Sequence, residues 1–108
     1  MTGVGGEMKY EISEGNGQRI LILRDQLTFA DRAAMDTVIS QALANGIKTV
    51  SVNLERLDYM DSAGLGMLLT LRERAGKSGA QIRLVKPRGD VKELLSLACF
   101  DTLFPIEN

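Results

Sequence analysis

The chain has no histidine, no tryptophan and a single cysteine in 108 residues. Without histidine there is no Ser-His-Asp catalysis, no imidazole metal ligand and no phosphohistidine relay. Cys99 alone closes no intrachain disulfide and builds no thiolate metal cluster, and nothing points to an oxidising compartment. Asp and Glu could hold a hard cation, but no oxygen-rich loop of the right spacing is present. With two Tyr and three Phe there is no aromatic platform for stacking bases. The net charge of -1 offers no basic face for a phosphate backbone; Arg72, Arg74 and Lys77 cluster around Glu73 and read as a solvated helix face. No apolar run reaches the roughly 18–20 residues of a membrane span, and the opening MTGVGGEMKY lacks the apolar core of a signal peptide. These absences lead to the expectation of one cytoplasmic globular domain, with no cofactor, no metal, no nucleic-acid partner and no direct membrane insertion. The 44% hydrophobic and 25% charged residues suit such a domain.

What is present is an alternation of periods. Residues 1–7 are glycine-rich and read as a flexible tail, and residues 8–108 as one domain. Met8 to Ser13 and Arg19 to Arg24 read as strands joined by Glu14-Gly15-Asn16-Gly17, residues that tolerate positive φ, so a hairpin is expected. Ile20 to Leu23 is continuously apolar, the pattern of a strand covered on both faces. Met35, Val38, Ile39, Ala42 and Leu43 form a helical stripe, with Thr28 and Asp31 spaced like a capping box and Asn45-Gly46 as the stop. Val50, Val52 and Leu54 alternate with Ser51 and Asn53 as in a strand with one buried face. A loop is expected over Glu55 to Asp61, then a helix from Ser62 to Lys77 ended by Gly79. Ile82 and Leu84 mark another strand, Pro87 breaks the chain, and Val91, Leu94, Leu95 and Ala98 give a third amphipathic helix before a short apolar tail at Leu103, Phe104 and Ile106. Strands alternating with helices predict an α/β fold: a mixed, mostly parallel sheet opened by an N-terminal hairpin, with helices packed on it.

The most informative stretch is Thr49 to Gly66, TVSVNLERLDYMDSAGLG. It places Asp61 and Ser62 at the carboxyl end of a parallel strand, where open α/β sheets carry ligand and partner sites, and at the start of a helix, where backbone N–H groups lack intrahelical partners. A hydroxyl there can cap the helix, attack a carbonyl or receive a phosphate. The run Met60-Asp61-Ser62-Ala63-Gly64 is not a nucleophile elbow, because Met60 replaces the first glycine and no histidine exists to take the proton. Gly64-Leu65-Gly66 lacks the Lys-Ser/Thr of a Walker A loop and the spacing of a dinucleotide loop. Both glycines are expected to serve tight packing of the helix start on its strand. A receiver domain with Asp61 as acceptor would need an acidic pair after an early strand, and Leu23-Arg24-Asp25 stands there instead. The remaining chemistry is a serine phosphorylated by a partner, with the phosphate at a positive helix end.

N-L-x-x-L-x-x-M-D-S-A-G-L-G resembles the core motif of STAS domains, and specifically of the bacterial anti-sigma factor antagonists. Leu27 matches the end of a G-x-L-D turn before the first helix, and Val91-Lys92-Glu93-Leu94-Leu95 through Leu103-Phe104-Pro105-Ile106 resembles the family's last helix and tail. The resemblance implies a non-enzymatic partner-switching module. Its unphosphorylated form would bind an anti-sigma factor that is a serine kinase of the histidine-kinase-like ATPase fold. Phosphorylation of Ser62 would end that binding, and a serine phosphatase would reverse it. Ala63 stands where many members have a second serine. Asp25 and Thr28 stand where the G-x-L-D turn has Gly and Asp, which leads to the expectation of a diverged partner. The alternative within the same family is a constitutive cytoplasmic subunit of a lipid or anion transporter, in which Ser62 only caps a helix.

The resemblance implies Ser62 as phosphorylation site with Asp61 as its neighbour; the partner-binding residues expected are Asp61, Ser62, Ala63, Gly64, Thr28, Phe29 and Met67, with no catalytic residue. Phe29 reads equally as an anchor for a partner or as packing under the first helix. Met67 by helical phase could face outward beside Ser62. Met60 reads as core, Tyr59 as an exposed loop ring, and Cys99 as a small apolar filler.

Overall fold

In the computed structural model of the protein, residues 8–108 are described; the tail expected at residues 1–7 lies outside them. The chain runs β1 (Lys9–Gly15), β2 (Gln18–Leu27), α1 (Arg32–Ala42), β3 (Thr49–Asn53), β4 (Leu57–Met60), α2 (Ser62–Ser78), β5 (Gln81–Val85), α3 (Gly89–Leu97) and β6 (Ile106–Glu107). Six strands form one sheet in the order β1-β2-β3-β5-β6, with β4 beside β2. β1 and β2 are antiparallel, joined by Asn16 and Gly17, both at positive φ, as a two-residue hairpin requires. Every other pairing is parallel. The α/β fold expected from the alternation of periods, hairpin included, is the one observed.

The two strands and the turn that carry the candidate site are built around an interruption. β3 pairs with Arg19–Ile22 of β2 and β4 with Asp25–Leu27, so the two short strands follow one another along the same neighbour. Between them the chain leaves the ladder at Leu54, whose N–H turns to the carbonyl of Val85 on the other side. β2 answers with a shift of register at Asp25, which sits at φ 63° and donates its N–H to the Arg56 carbonyl. The expected loop over Glu55 to Asp61 is therefore corrected: Leu57 to Met60 is a strand. Its burial pattern, in-out-out-in, hides the period of two. The tail at Ile106 likewise adds a short strand, β6, parallel to β5.

The strand order β2-β3-β5-β6 always advances in one direction. With right-handed crossovers, α1, α2 and α3 then all fall on one face of the sheet. That face holds the core, with Leu21, Leu23, Val50, Val52, Ile82 and Leu84 meeting Met35, Val38, Ile39, Leu68, Leu71, Val91 and Leu95. The opposite face, with Ile20, Ile22, Ser51, Asn53 and Val85, has no helix over it among the described residues, and Ile20 and Ile22 are only half-buried. This corrects the expectation that Ile20 to Leu23 is covered on both sides. The continuous apolar run has a different cause: Ile20 and Ile22 cover Ser51 and their cross-strand neighbours on an open sheet, where β-branched side chains pack on the pleat itself.

The helix stripe from Met35 to Ala42 is buried as expected, with Leu43 half-buried just past its end. Its C-terminus is held by a residue the sequence pattern did not single out. Arg19 is 8% exposed. Its Nη1 donates to the carbonyls of Ala42 (3.1 Å) and Ala44 (2.7 Å), with that of Gln41 at 3.3 Å, and its Nε donates to Glu14 Oε2 at 2.6 Å. One guanidinium thus satisfies the orphan acceptors at the negative end of α1 and is itself neutralised by a carboxylate. Arg19→Lys retains the charge but offers one nitrogen on a shorter stem in place of two, so it cannot serve both Glu14 and the carbonyls at the end of α1. Chemical denaturation should show a loss of about 1–2 kcal/mol; an unchanged midpoint would mean that water serves those carbonyls equally well.

Candidate functional site

The Asp61-Ser62 turn lies where β4 ends and α2 begins, at the carboxyl edge of the sheet. Asp61 is the N-cap, in extended conformation, and its Oδ1 accepts the N–H of Gly64 at 3.0 Å. Ser62 is the first helical residue and is exposed. The sequence left the cap open between the two; the structure gives it to Asp61, which leaves the Ser62 hydroxyl outside the capping arrangement. The second oxygen of Asp61, Oδ2, accepts the N–H of Phe29 at 3.2 Å. Both carboxylate oxygens are thereby committed to backbone donors. Asp61 is not placed as a general base for Ser62, and no histidine exists in the chain. Among the described residues no group of three metal-binding side chains is present. The turn presents an exposed hydroxyl with no general base among its hydrogen-bonded neighbours in the described residues.

The neighbouring turn comes from β2. Thr28 caps a short 3-10 turn over Phe29–Asp31, its hydroxyl accepting from the Ala30 N–H, while Asp31 Oδ2 accepts the Thr28 N–H at 2.8 Å. This is the capping box expected from Thr28 and Asp31. Phe29 stands at its tip with 64% of its surface exposed, the Arg32 guanidinium 5.2 Å from its ring centroid. Phe29 is exposed rather than packed under the first helix.

Gly64 is fixed by close approach. A Cβ built on it would lie 2.5 Å from the Leu27 carbonyl oxygen and overlap Met60 Cγ, so the expected tight packing of helix on strand is found there. Gly66 is corrected: it is exposed and a Cβ would meet nothing within 4 Å. Ala63 is half-buried beside Ser62. Met67 is also corrected, being 8% exposed. It lies against Met35 and Ile39 at the floor of a cleft of about 190 Å³ between α1 and α2, because Leu68 and Leu71 turn that flank of α2 toward the core. Met60 is core and Tyr59 is exposed, on a strand rather than a loop. Cys99 is exposed at φ 59° just after α3 and is no filler. A hollow of about 440 Å³ between the C-terminal half of α2 and β5 lies far from Ser62 along the helix.

The STAS domain family matches residues 8–108. The chain belongs to the STAS domain family. A STAS-domain containing protein of Pseudomonas aeruginosa is 44% identical over 55 residues, a match of 51% of this chain and 54% of that protein, so that it spans about half the length of each. BtrV of Bordetella bronchiseptica, named as a candidate anti-sigma factor antagonist, is 25% identical over 94% of this chain and 87% of its own. An anti-sigma factor antagonist from Mycobacterium paratuberculosis has the same fold, with a TM-score of 0.82 at 18% identity over 98% of this chain and 90% of that one. The chain is thus a STAS protein similar to proteins named as anti-sigma factor antagonists. None of its described helices is long and apolar enough to cross a membrane.

The two departures from the family's first landmark now have a physical account. Asp25 sits in the left-handed region that a glycine would favour, and aspartate is among the few side chains tolerated there. Thr28 caps the turn, as an aspartate would.

Proposed function

We propose that this STAS protein is a phosphorylation-switched antagonist. Its unphosphorylated form binds an anti-sigma factor that is also a serine kinase of the histidine-kinase-like ATPase fold, releasing that factor's target. Transfer of the γ-phosphoryl group of ATP to Ser62 Oγ, with the hydroxyl proton passing to a base on the kinase and ADP leaving, ends the binding. A serine phosphatase resets the switch, and the cycle runs in the cytoplasm. The partner surface comprises Asp61, Ser62, Ala63, Gly64, Thr28 and Phe29, and needs no cofactor.

The observation that carries this reading is the division of labour in the turn. Asp61 supplies the cap, so Ser62 is exposed at the first helical position with its hydroxyl free for another role, within a D-S-A-G-L-G motif and next to Asp61, which bonds the exposed Phe29 loop. A serine needed only for capping would occupy the position Asp61 holds. A phosphate there would meet the positive end of α2, which offsets roughly 0.3–1 kcal/mol of its cost to the fold.

Incubating the protein with a serine kinase of the histidine-kinase-like ATPase fold from the same organism and MgATP should add one phosphate by intact mass, mapped to Ser62 and absent in Ser62→Ala. Labelling that survives in Ser62→Ala would move the acceptor elsewhere. Absence of labelling, with a stable complex between this chain and a transport ATPase, would give the transporter-subunit reading the stronger claim.

A further inference from the structure

Asp61 joins two loops that come from different parts of the chain. Its Oδ1 holds the Gly64 N–H at the start of α2, and its Oδ2 holds the Phe29 N–H at the tip of the turn after β2. Phe29 is restrained on its other sides as well. The preceding residue is closed into the capping box by Asp31, and the Arg32 guanidinium lies over the ring. An exposed phenylalanine ring held at both backbone and side chain is pre-organised, and binding it costs little further ordering. Arg32, like Arg56 and Arg72, forms no ion pair among the described residues, whereas Arg19, Arg24, Arg74, Arg83 and Arg88 each do. The patch therefore presents an apolar ring with an unmatched positive charge against it.

We infer that Asp61 is a positioning residue that locks Phe29 beside Ser62 as an aromatic anchor, so that the partner reads the two loops as a single surface. The complementary partner surface is an apolar pocket for the ring with an acidic group at its rim for Arg32. This rests on the proposed antagonist function for the identity of the partner, and it adds the residue that gathers the surface and the residue that anchors it. It also places the Ser62 phosphate where it disturbs both loops together, because the group it adjoins is the one that joins them.

Asp61→Asn isolates the link. An asparagine offers one oxygen and one NH2 in nearly the same shape, so it can accept from Gly64 or from Phe29 but not from both. Asparagine is as good an N-cap as aspartate, so the Gly64 bond is the one retained and the Phe29 N–H faces a donor. In the free protein, amide hydrogen exchange at Phe29 should accelerate about tenfold or more, while that of Gly64 stays within a few-fold of wild type. Against the kinase that phosphorylates Ser62, Phe29→Ala should weaken binding about tenfold or more and Asp61→Asn several-fold. The double variant should lose less than the product of the two, because Asp61 acts through Phe29. A merely structural Asp61 would lower the melting temperature without that coupling. Unchanged exchange at Phe29 in Asp61→Asn, wild-type binding by Phe29→Ala, or losses that multiply independently would each overturn the inference. Ser62→Asp in the same titration separates the two proposals. If it binds weakly while Phe29→Ala binds normally, the switch stands and the anchor falls. If Phe29 and Asp61 couple while Ser62→Asp binds normally, the anchor stands and the switch falls.

Discussion

The phosphorylated protein is expected to bind its partner about 30- to 1000-fold more weakly than the unmodified one, a difference of roughly 2–4 kcal/mol. On the proposed partner surface, which takes in both Phe29 and Ser62, the phosphate is taken partly out of water beside a carboxylate that cannot turn away. Both oxygens of Asp61 are engaged by backbone N–H groups, and rotating either off them leaves a donor unpaired. About -1.5 to -2 added charges thus face a fixed negative neighbour in a closing interface. Ser62→Asp brings one charge instead of nearly two and should reproduce part of the loss; Ser62→Ala should bind close to wild type. Neither substitution touches the cap, which belongs to Asp61, so both proteins should melt within a few degrees of wild type. Isothermal titration of the four proteins against the partner, with melting curves alongside, measures this. Tight binding by a folded Ser62→Asp and by the phosphorylated form would end the switch hypothesis.

The sequence showed much of this because the relevant signals are local. The Asn16-Gly17 hairpin, the Met35–Ala42 stripe, the Thr28–Asp31 capping box and the Gly79 stop at φ 81° each depend on residues within a turn or two of one another. The placement of Ser62 in the first turn of α2 followed from the change of period at Gly64. What escaped depends on distant partners. β4 was hidden because it continues the line of β3 along β2, and because Asp58 is the extra residue of a bulge, Asp25 facing Leu57 and Gln26 facing Tyr59, so that the outward residues Asp58 and Tyr59 fall side by side. Arg19 reads as a polar residue at a strand start, and only the position of the end of α1 turns it into a buried cap.

The same reason explains the errors around the site. Helical phase alone leaves Met67 on a boundary, and the neighbouring α1, with Met35 and Ile39 in the same cleft, puts it inside. The Phe29 ring could pack in or out until the capping box set the direction of its turn. The link from Asp61 to Phe29 spans 32 residues in sequence and has no local signature, although both of its ends lie in segments the sequence had marked. Gly64 and Gly66 are equivalent in the motif as written, and only the distance to β2 separates them.

That separation gives a large and opposite pair of effects. Gly64→Ala should destabilise the domain by about 3 kcal/mol, toward the upper end of what overpacking costs. The new methyl would overlap Met60 Cγ, which can rotate away, and would also lie 2.5 Å from the Leu27 carbonyl oxygen, which cannot. That carbonyl ends β2 and receives the Asp61 N–H, so relief comes only by lifting the start of α2 off the sheet. In a domain of this size the loss corresponds to a fall of roughly 10–20 °C in melting temperature. The lift also opens the Asp61 cap at Gly64, so partner binding should fall in the protein that remains folded. Gly66→Ala, two residues on, meets nothing within 4 Å and replaces the poorer helix former on an exposed face. It should stabilise by about 0.5–1 kcal/mol. Paired melting curves decide the matter: equal shifts for the two variants would mean that α2 does not rest on Leu27, and that the geometry holding Ser62 at the surface comes from elsewhere in the fold.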